Sequence, residues 1–135
     1  MTRQPPKLEA LAAVIRDTLT EVPGVRAAYI FGSHAAGDAT AGSDVDVAVL
    51  FDEGPGLDEV LSLERRLEEA LGREVDLIDL GSASAFLALD VIRGLRVVCR
   101  DEDECDEFEL YVLRRAGDLE PFERARREML LGSSP

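Results

Sequence analysis

The 135-residue chain predicts an α/β (α+β) fold, a small β-sheet flanked by helices. Three observations carry that expectation. Apolar residues recur at helical spacing in some segments and form short, β-branched runs in others. The two kinds of segment are mixed along one compact unit. With 46% apolar residues over 135 positions, the chain can bury a core without disulfide or metal staples. One domain over residues 1–135, with its core at about 8–125, accounts for the whole length. No internal repeat or low-complexity linker interrupts it.

Each element has a local reason. Residues 7–21 read as a helix, because Leu8, Leu11, Ala12, Ile15 and Leu19 share a face, and Pro23-Gly24 stops it. Val25–Phe31 reads as a strand, and Gly32–Ser43 as a loop of small and polar residues. Asp44–Phe51 is a second strand, followed by a turn at residues 52–56. Leu57–Leu71 is a helix with Val60, Leu63, Leu67, Ala70 and Leu71 on one face and Gly72 at its end. Glu74–Leu80 is a third strand, and a helix from about Ala83 to Ile92 ends at Gly94. Leu95–Arg100 is β-like. Asp101 is placed to cap the next helix, with Glu104 three residues on. Gly117 is expected to break that helix near Ala116, and Pro121 to open a last one ending near Leu131, before a frayed tail over residues 132–135.

Composition excludes several functions. Twenty-eight acidic against fifteen basic residues give a net charge of −13, the wrong sign for generic nucleic-acid or anionic-membrane binding. The longest apolar runs are five residues, far short of the roughly 20 that span a membrane. The N-terminus lacks a signal-peptide pattern, so a cytoplasmic location is expected. Cys99 and Cys105 are too few for a zinc site, and two reduced thiols are expected. Phe31, Phe51, Phe86, Phe108 and Tyr111 are expected in the core. Arg114, Arg115, Arg124, Arg126 and Arg127 are expected on a solvated helix face.

The chemistry is concentrated at Phe31-Gly32-Ser33, ten further residues, and Asp44-Val45-Asp46. Residues two apart on a strand project to one face, so Asp44 and Asp46 point the same way. Two adjacent carboxylates repel, and a divalent cation with a preference for oxygen ligands, Mg²⁺ or Mn²⁺, removes the conflict. Glycine directly after a strand lets backbone N–H groups approach an anion, and Ser33 adds a hydroxyl. A phosphate cradle beside paired carboxylates is the apparatus of metal-assisted phosphoryl or nucleotidyl transfer. The third strand offers Asp76 or Asp79 as a third carboxylate. These lie on opposite faces, and period alone leaves the choice open.

This pattern resembles the nucleotidyltransferase superfamily related to DNA polymerase β, and within it the minimal nucleotidyltransferases, the MntA-type antitoxins paired with HEPN-domain toxins. Gly32, Ser33, Gly37, Ser43, Asp44, Asp46 and the strand Val75-Asp76-Leu77 carry the resemblance. It implies a nucleotidyltransferase fold, a small mixed sheet with C-terminal helices. It implies that Asp44, Asp46 and Asp76 are catalytic and bind two Mg²⁺ ions. Asp76 would act as, or help position, the general base. Gly32, Ser33 and Ser43 would bind the nucleotide. The reaction implied moves AMP from ATP to a tyrosine of the HEPN toxin and silences it. One departure stands out: many relatives carry arginine where this chain has Ala36, before Gly37. His34 is the nearby residue able to replace that cation in part.

A chain of this length is expected to have room for neither a template-holding apparatus nor an added helical domain beyond its two C-terminal helices. A shallow site of this kind is expected to borrow a wall from a protein partner or an oligomer. Two other readings compete. One is an antitoxin that masks its toxin by binding alone. The other is a free-standing transferase for a small hydroxylated molecule.

Overall fold

The computed structural model describes residues 5–130, with side chains described through residue 117. The elements run α1 (Leu8–Leu19), β1 (Val25–Phe31), α2 (Gly32–Ala36), β2 (Val45–Phe51), α3 (Leu57–Leu71), β3 (Val75–Asp79), a 3₁₀ turn (Leu80–Ser82), α4 (Ala85–Ile92), β4 (Leu95–Cys99) and α5 (Glu102–Leu130).

The four strands form one mixed sheet in the order β3-β2-β1-β4. β1 pairs antiparallel with β2 and with β4, while β2 and β3 run parallel. The crossover between the parallel strands is α3, as a parallel connection requires. The central strands are covered on both faces, which explains their nearly unbroken apolar runs. Val45, Val47 and Val49 of β2 join Ile15, Leu19, Leu63 and Leu67 beneath α1 and α3. Ala48 and Leu50 point the other way, with Tyr29, Phe31, Ala88, Val91 and Val112 beneath α4 and α5. Tyr29 is wholly buried, and its hydroxyl donates to Glu109 of α5 at 2.7 Å.

The helix ends follow the expected chemistry. Gly72 closes α3 at φ 68°, and its N–H donates to the Glu68 carbonyl. Asp101 accepts from the Glu104 N–H at 3.2 Å, and Ser84 accepts from Leu87 N–H to start α4. No described helix is long and apolar enough to cross a membrane.

The structure corrects several expectations. The loop over residues 32–43 begins with a short helix, α2, because Ala35 and Ala36 favour helix and Gly37 ends it at φ 83°. The expected break at Gly117 and the separate last helix do not occur; α5 is one element through Leu130. Unlike Gly37 and Gly72, Gly117 does not turn left-handed, so it weakens the helix without ending it. The expected tail at residues 132–135 lies outside the described residues, as do the side chains of Arg124, Arg126 and Arg127. Cys99 and Cys105 are not two free thiols: their sulfurs are bonded, linking the end of β4 to the start of α5. Phe86 and Tyr111 are 49% and 52% exposed, not core residues, because they lie on the outer sides of α4 and α5. Arg114 is exposed as expected, and Arg115 stacks over the Tyr111 ring at 5.5 Å.

Candidate active site

β1 delivers the chain to the site and Gly32 turns it. Gly32 adopts φ 72°, a left-handed conformation that strains any residue bearing a Cβ. A Cβ at this position would also overlap Oδ2 of Asp46. Glycine is therefore required here for backbone geometry and for the approach of a carboxylate. α2 follows at once, and the Ser33 carbonyl accepts from Asp38 N–H at 2.9 Å as the helix closes.

Asp44 is exposed just before β2, and Asp46 is partly buried two residues later. Asp76 is exposed on β3, and the parallel register sets it directly beside Asp46. The alternation of β2 puts Asp46 on the face of Ala48 and Leu50, beneath α4 and α5. The register thus sets Asp76, and not Asp79, beside Asp46. Asp79 is occupied elsewhere, accepting from Gly81 N–H at 3.1 Å and from the Ser82 hydroxyl at 2.8 Å. Burial pushes the Asp46 carboxyl above its ordinary range, and the carboxylates of Asp76 and Asp44 push it further. His34 acts in the opposite direction.

The segment between α2 and β2 is fixed from three sides. Buried His34 donates from Nε2 to the Ser43 carbonyl at 3.1 Å. Ser43 Oγ accepts from Thr40 N–H at 2.9 Å and closes a turn. Arg73 reaches the carbonyls of Ala41 and Ser43 at 3.5 Å each. One ring nitrogen of His34 is thus engaged by the backbone.

A cleft of about 440 Å³ opens beside the loop, lined by Gly32, Ser33, Ala35, Ala36, Asp38, Asp90, Arg93 and Gly94. Two larger clefts, of about 680 and 760 Å³, open around Pro23-Gly24. None of the three clefts is lined by Asp44, Asp46 or Asp76, but the smaller one shares Gly32, which packs on the Asp46 carboxylate. Arg73, Asp90 and Arg93 escaped the sequence reading. Each is brought to the site by tertiary folding, and no motif marks them.

The donor set is all oxygen, which suits Mg²⁺ or Mn²⁺. Among the described residues, no three His, Cys, Asp or Glu side chains gather into a ready cage. Mg²⁺ does not need one. It commonly takes one or two carboxylates and completes its shell with phosphate oxygens and water. The crowded charge at Asp46 is the feature that such an ion relieves, so these residues fit it.

Comparison with known proteins agrees with this geometry. Residues 14–103 match the family model described as "Polymerase beta, Nucleotidyltransferase". A protein adenylyltransferase MntA from Thermococcus cleftensis is 38% identical over 87 residues, spanning 64% of this chain and 88% of that protein. The protein of the same name from Shewanella oneidensis is 36% identical over 81 residues, 58% of this chain and 57% of its own. A crystal structure of a toxin-antitoxin with AMP-PNP superposes with a TM-score of 0.75 at 26% identity, covering 89% of this chain and 98% of the other. The chain therefore belongs to the polymerase β nucleotidyltransferase family and is an enzyme of that class.

Proposed function

We propose that this protein transfers AMP from ATP to a protein hydroxyl, a tyrosine of a HEPN-family toxin, and so acts as that toxin's antitoxin. The observation that carries this reading is the register pairing of Asp46 with Asp76, with Asp44 two residues away and Gly32 packed on the Asp46 carboxylate. The relatives named protein adenylyltransferase, and the related toxin-antitoxin structure with AMP-PNP, support the substrate and the kind of acceptor. The exposure of Asp44 and Asp76 supports a macromolecular acceptor.

The residues divide the work. Asp44, Asp46 and Asp76 would hold two Mg²⁺ ions. When bound, these ions neutralise phosphate charge and lower the cost of deprotonating the attacking hydroxyl. Gly32 and Ser33 would face the triphosphate, with Ser43 holding the segment that leads to Asp44. The tyrosine oxygen attacks the α-phosphorus as the bond to the β-phosphate oxygen breaks, and pyrophosphate leaves. Asp76, the more exposed partner of the Asp46–Asp76 pair, would receive the hydroxyl proton or position its acceptor. The expected location is the cytoplasm, where ATP and an intracellular toxin meet.

Intact-mass spectrometry of the co-expressed partner tests the proposal. Mass increments of whole AMP units, absent with the D44A/D46A variant, are expected. An unmodified partner, silenced equally by wild type and variant, would replace this reading with masking by binding alone. ATP-dependent modification of a small hydroxylated molecule without any protein partner would replace it with a free-standing transferase.

A further inference from the structure

We propose that Arg93, at the C-terminal end of α4, supplies the cationic phosphate contact that the Gly32–Gly37 loop lacks. The inference rests on the nucleotide-binding reading above. The loop Gly32–Gly37 contains no arginine or lysine, and its one titratable base, His34, is buried and bound to the Ser43 carbonyl. Arg73 lies near the same segment but is turned to the carbonyls of Ala41 and Ser43. The neighbouring carboxylates of Asp38, Asp44, Asp46, Asp76 and Asp90 make the site strongly anionic. A nucleotide triphosphate entering it needs a counter-charge beyond the metal.

Arg93 is placed for that role by backbone packing. Gly94 lies so close to the end of β1 that a Cβ would overlap the Ile30 carbonyl and press on Phe31 Cα. The turn from α4 into β4 is therefore pinned beside Gly32. Arg93 lines the same cleft of about 440 Å³ as Gly32, Ser33 and Ala36. Its side chain is exposed, and among the described residues its guanidinium makes no hydrogen bond or ion pair. A planar guanidinium grips two phosphate oxygens at once, which a lysine does not. Asp90, one turn earlier on α4, lines the cleft too without pairing with Arg93, so the guanidinium stays open to an incoming phosphate.

Binding of AMP-PNP and of AMP to the full-length chain with Mg²⁺, measured by calorimetry, tests the assignment without needing an acceptor. Arg93→Ala is expected to weaken AMP-PNP binding about 10- to 100-fold, the range for loss of a charge-assisted phosphate contact, and to leave AMP binding within about threefold. Adding Ala36→Arg to that variant is expected to recover most of the loss, because both positions open on one cleft. An unchanged thermal midpoint shows that the variants fold. Equal AMP-PNP affinity for wild type and Arg93→Ala would overturn Arg93's role and leave the proposed function standing. Failure of the wild type to bind AMP-PNP with Mg²⁺ would overturn both.

Discussion

Asp46 and Asp76 stand side by side on adjacent parallel strands, and Asp44 lies two residues from the first of them. Like charges this near Asp46 oppose folding unless something compensates. Burial and the two neighbours raise the Asp46 carboxyl above its ordinary range. The folded state then holds a proton that the unfolded state has already released. Stability therefore falls as pH rises from the ordinary carboxylate range through the raised value, and the penalty persists at neutral pH. Asp46→Asn removes it. The metal-free variant is expected to melt about 2–4 °C above wild type at pH 7 and to lose that advantage at acid pH, read by calorimetry. Added Mg²⁺ or Mn²⁺ is expected to raise the wild-type midpoint and not the variant's. Identical melting and identical metal response would remove the charge conflict from the argument.

Gly32 supports a sharper expectation, because two independent constraints meet there. Its φ of 72° and the contact with the Asp46 carboxylate both exclude a Cβ. Gly32→Ala is expected to cost about 1–3 kcal/mol in urea unfolding. The displaced Asp46 should also reduce transfer about 100-fold, the usual result of shifting a reacting group by about 1 Å. Gly37→Ala is the control. Gly37 shares the positive φ but has open space around it, so its variant should lose stability and keep most of its activity.

How much of this was legible in the sequence depended on the range of the cause. Asp46 could be placed on the face of Ala48 and Leu50 because strand period is local, whereas Asp44 lies just outside β2, where that period no longer applies. The choice of Asp76 over Asp79 could not be made that way. It follows from Val45 pairing with Val75, a register set by α3 and the core beneath it. Arg93 and Gly94 carry no local signal of their place beside Gly32, which depends on the packing of the α4–β4 turn on β1. Gly117 illustrates the opposite error. Its residue type predicts a stop, but glycine ends a helix by turning left-handed, and this one does not.

Asp52 provides a pH dependence of opposite sign. Hydrogen bonds from Arg100 hold its carboxyl down at about 2, and Arg26 at 3.3 Å adds to the effect. The stabilisation is fully present above the ordinary carboxylate range and is lost as pH falls from about 4 through about 2. Melting temperatures across that interval should fall more steeply for wild type than for Asp52→Asn. The difference should shrink in high salt, because the group is exposed. Parallel curves for the two proteins would show that the contact does not survive in solution.

The attachment of α5 to the sheet makes the last prediction. Arg96 on β4 donates to Glu109 at 2.7 Å and to Asp106 at 3.2 Å, and Glu109 also accepts from the Tyr29 hydroxyl. The network joins the central strand β1, the edge strand β4 and the last helix through one carboxylate. Tyr29→Phe leaves Glu109 paired with Arg96 and is expected to cost about 1 kcal/mol. Arg96→Ala leaves a part-buried carboxylate with only a neutral donor, and is expected to cost more, about 2–3 kcal/mol. The double variant Arg96→Ala/Glu109→Ala should cost less than the sum of its two single variants, because the second change removes the charge that the first left unpaired. Simple additivity in that cycle, measured by urea unfolding, would mean that apolar packing around Phe108 and Val112, and not this carboxylate, holds α5 against the sheet.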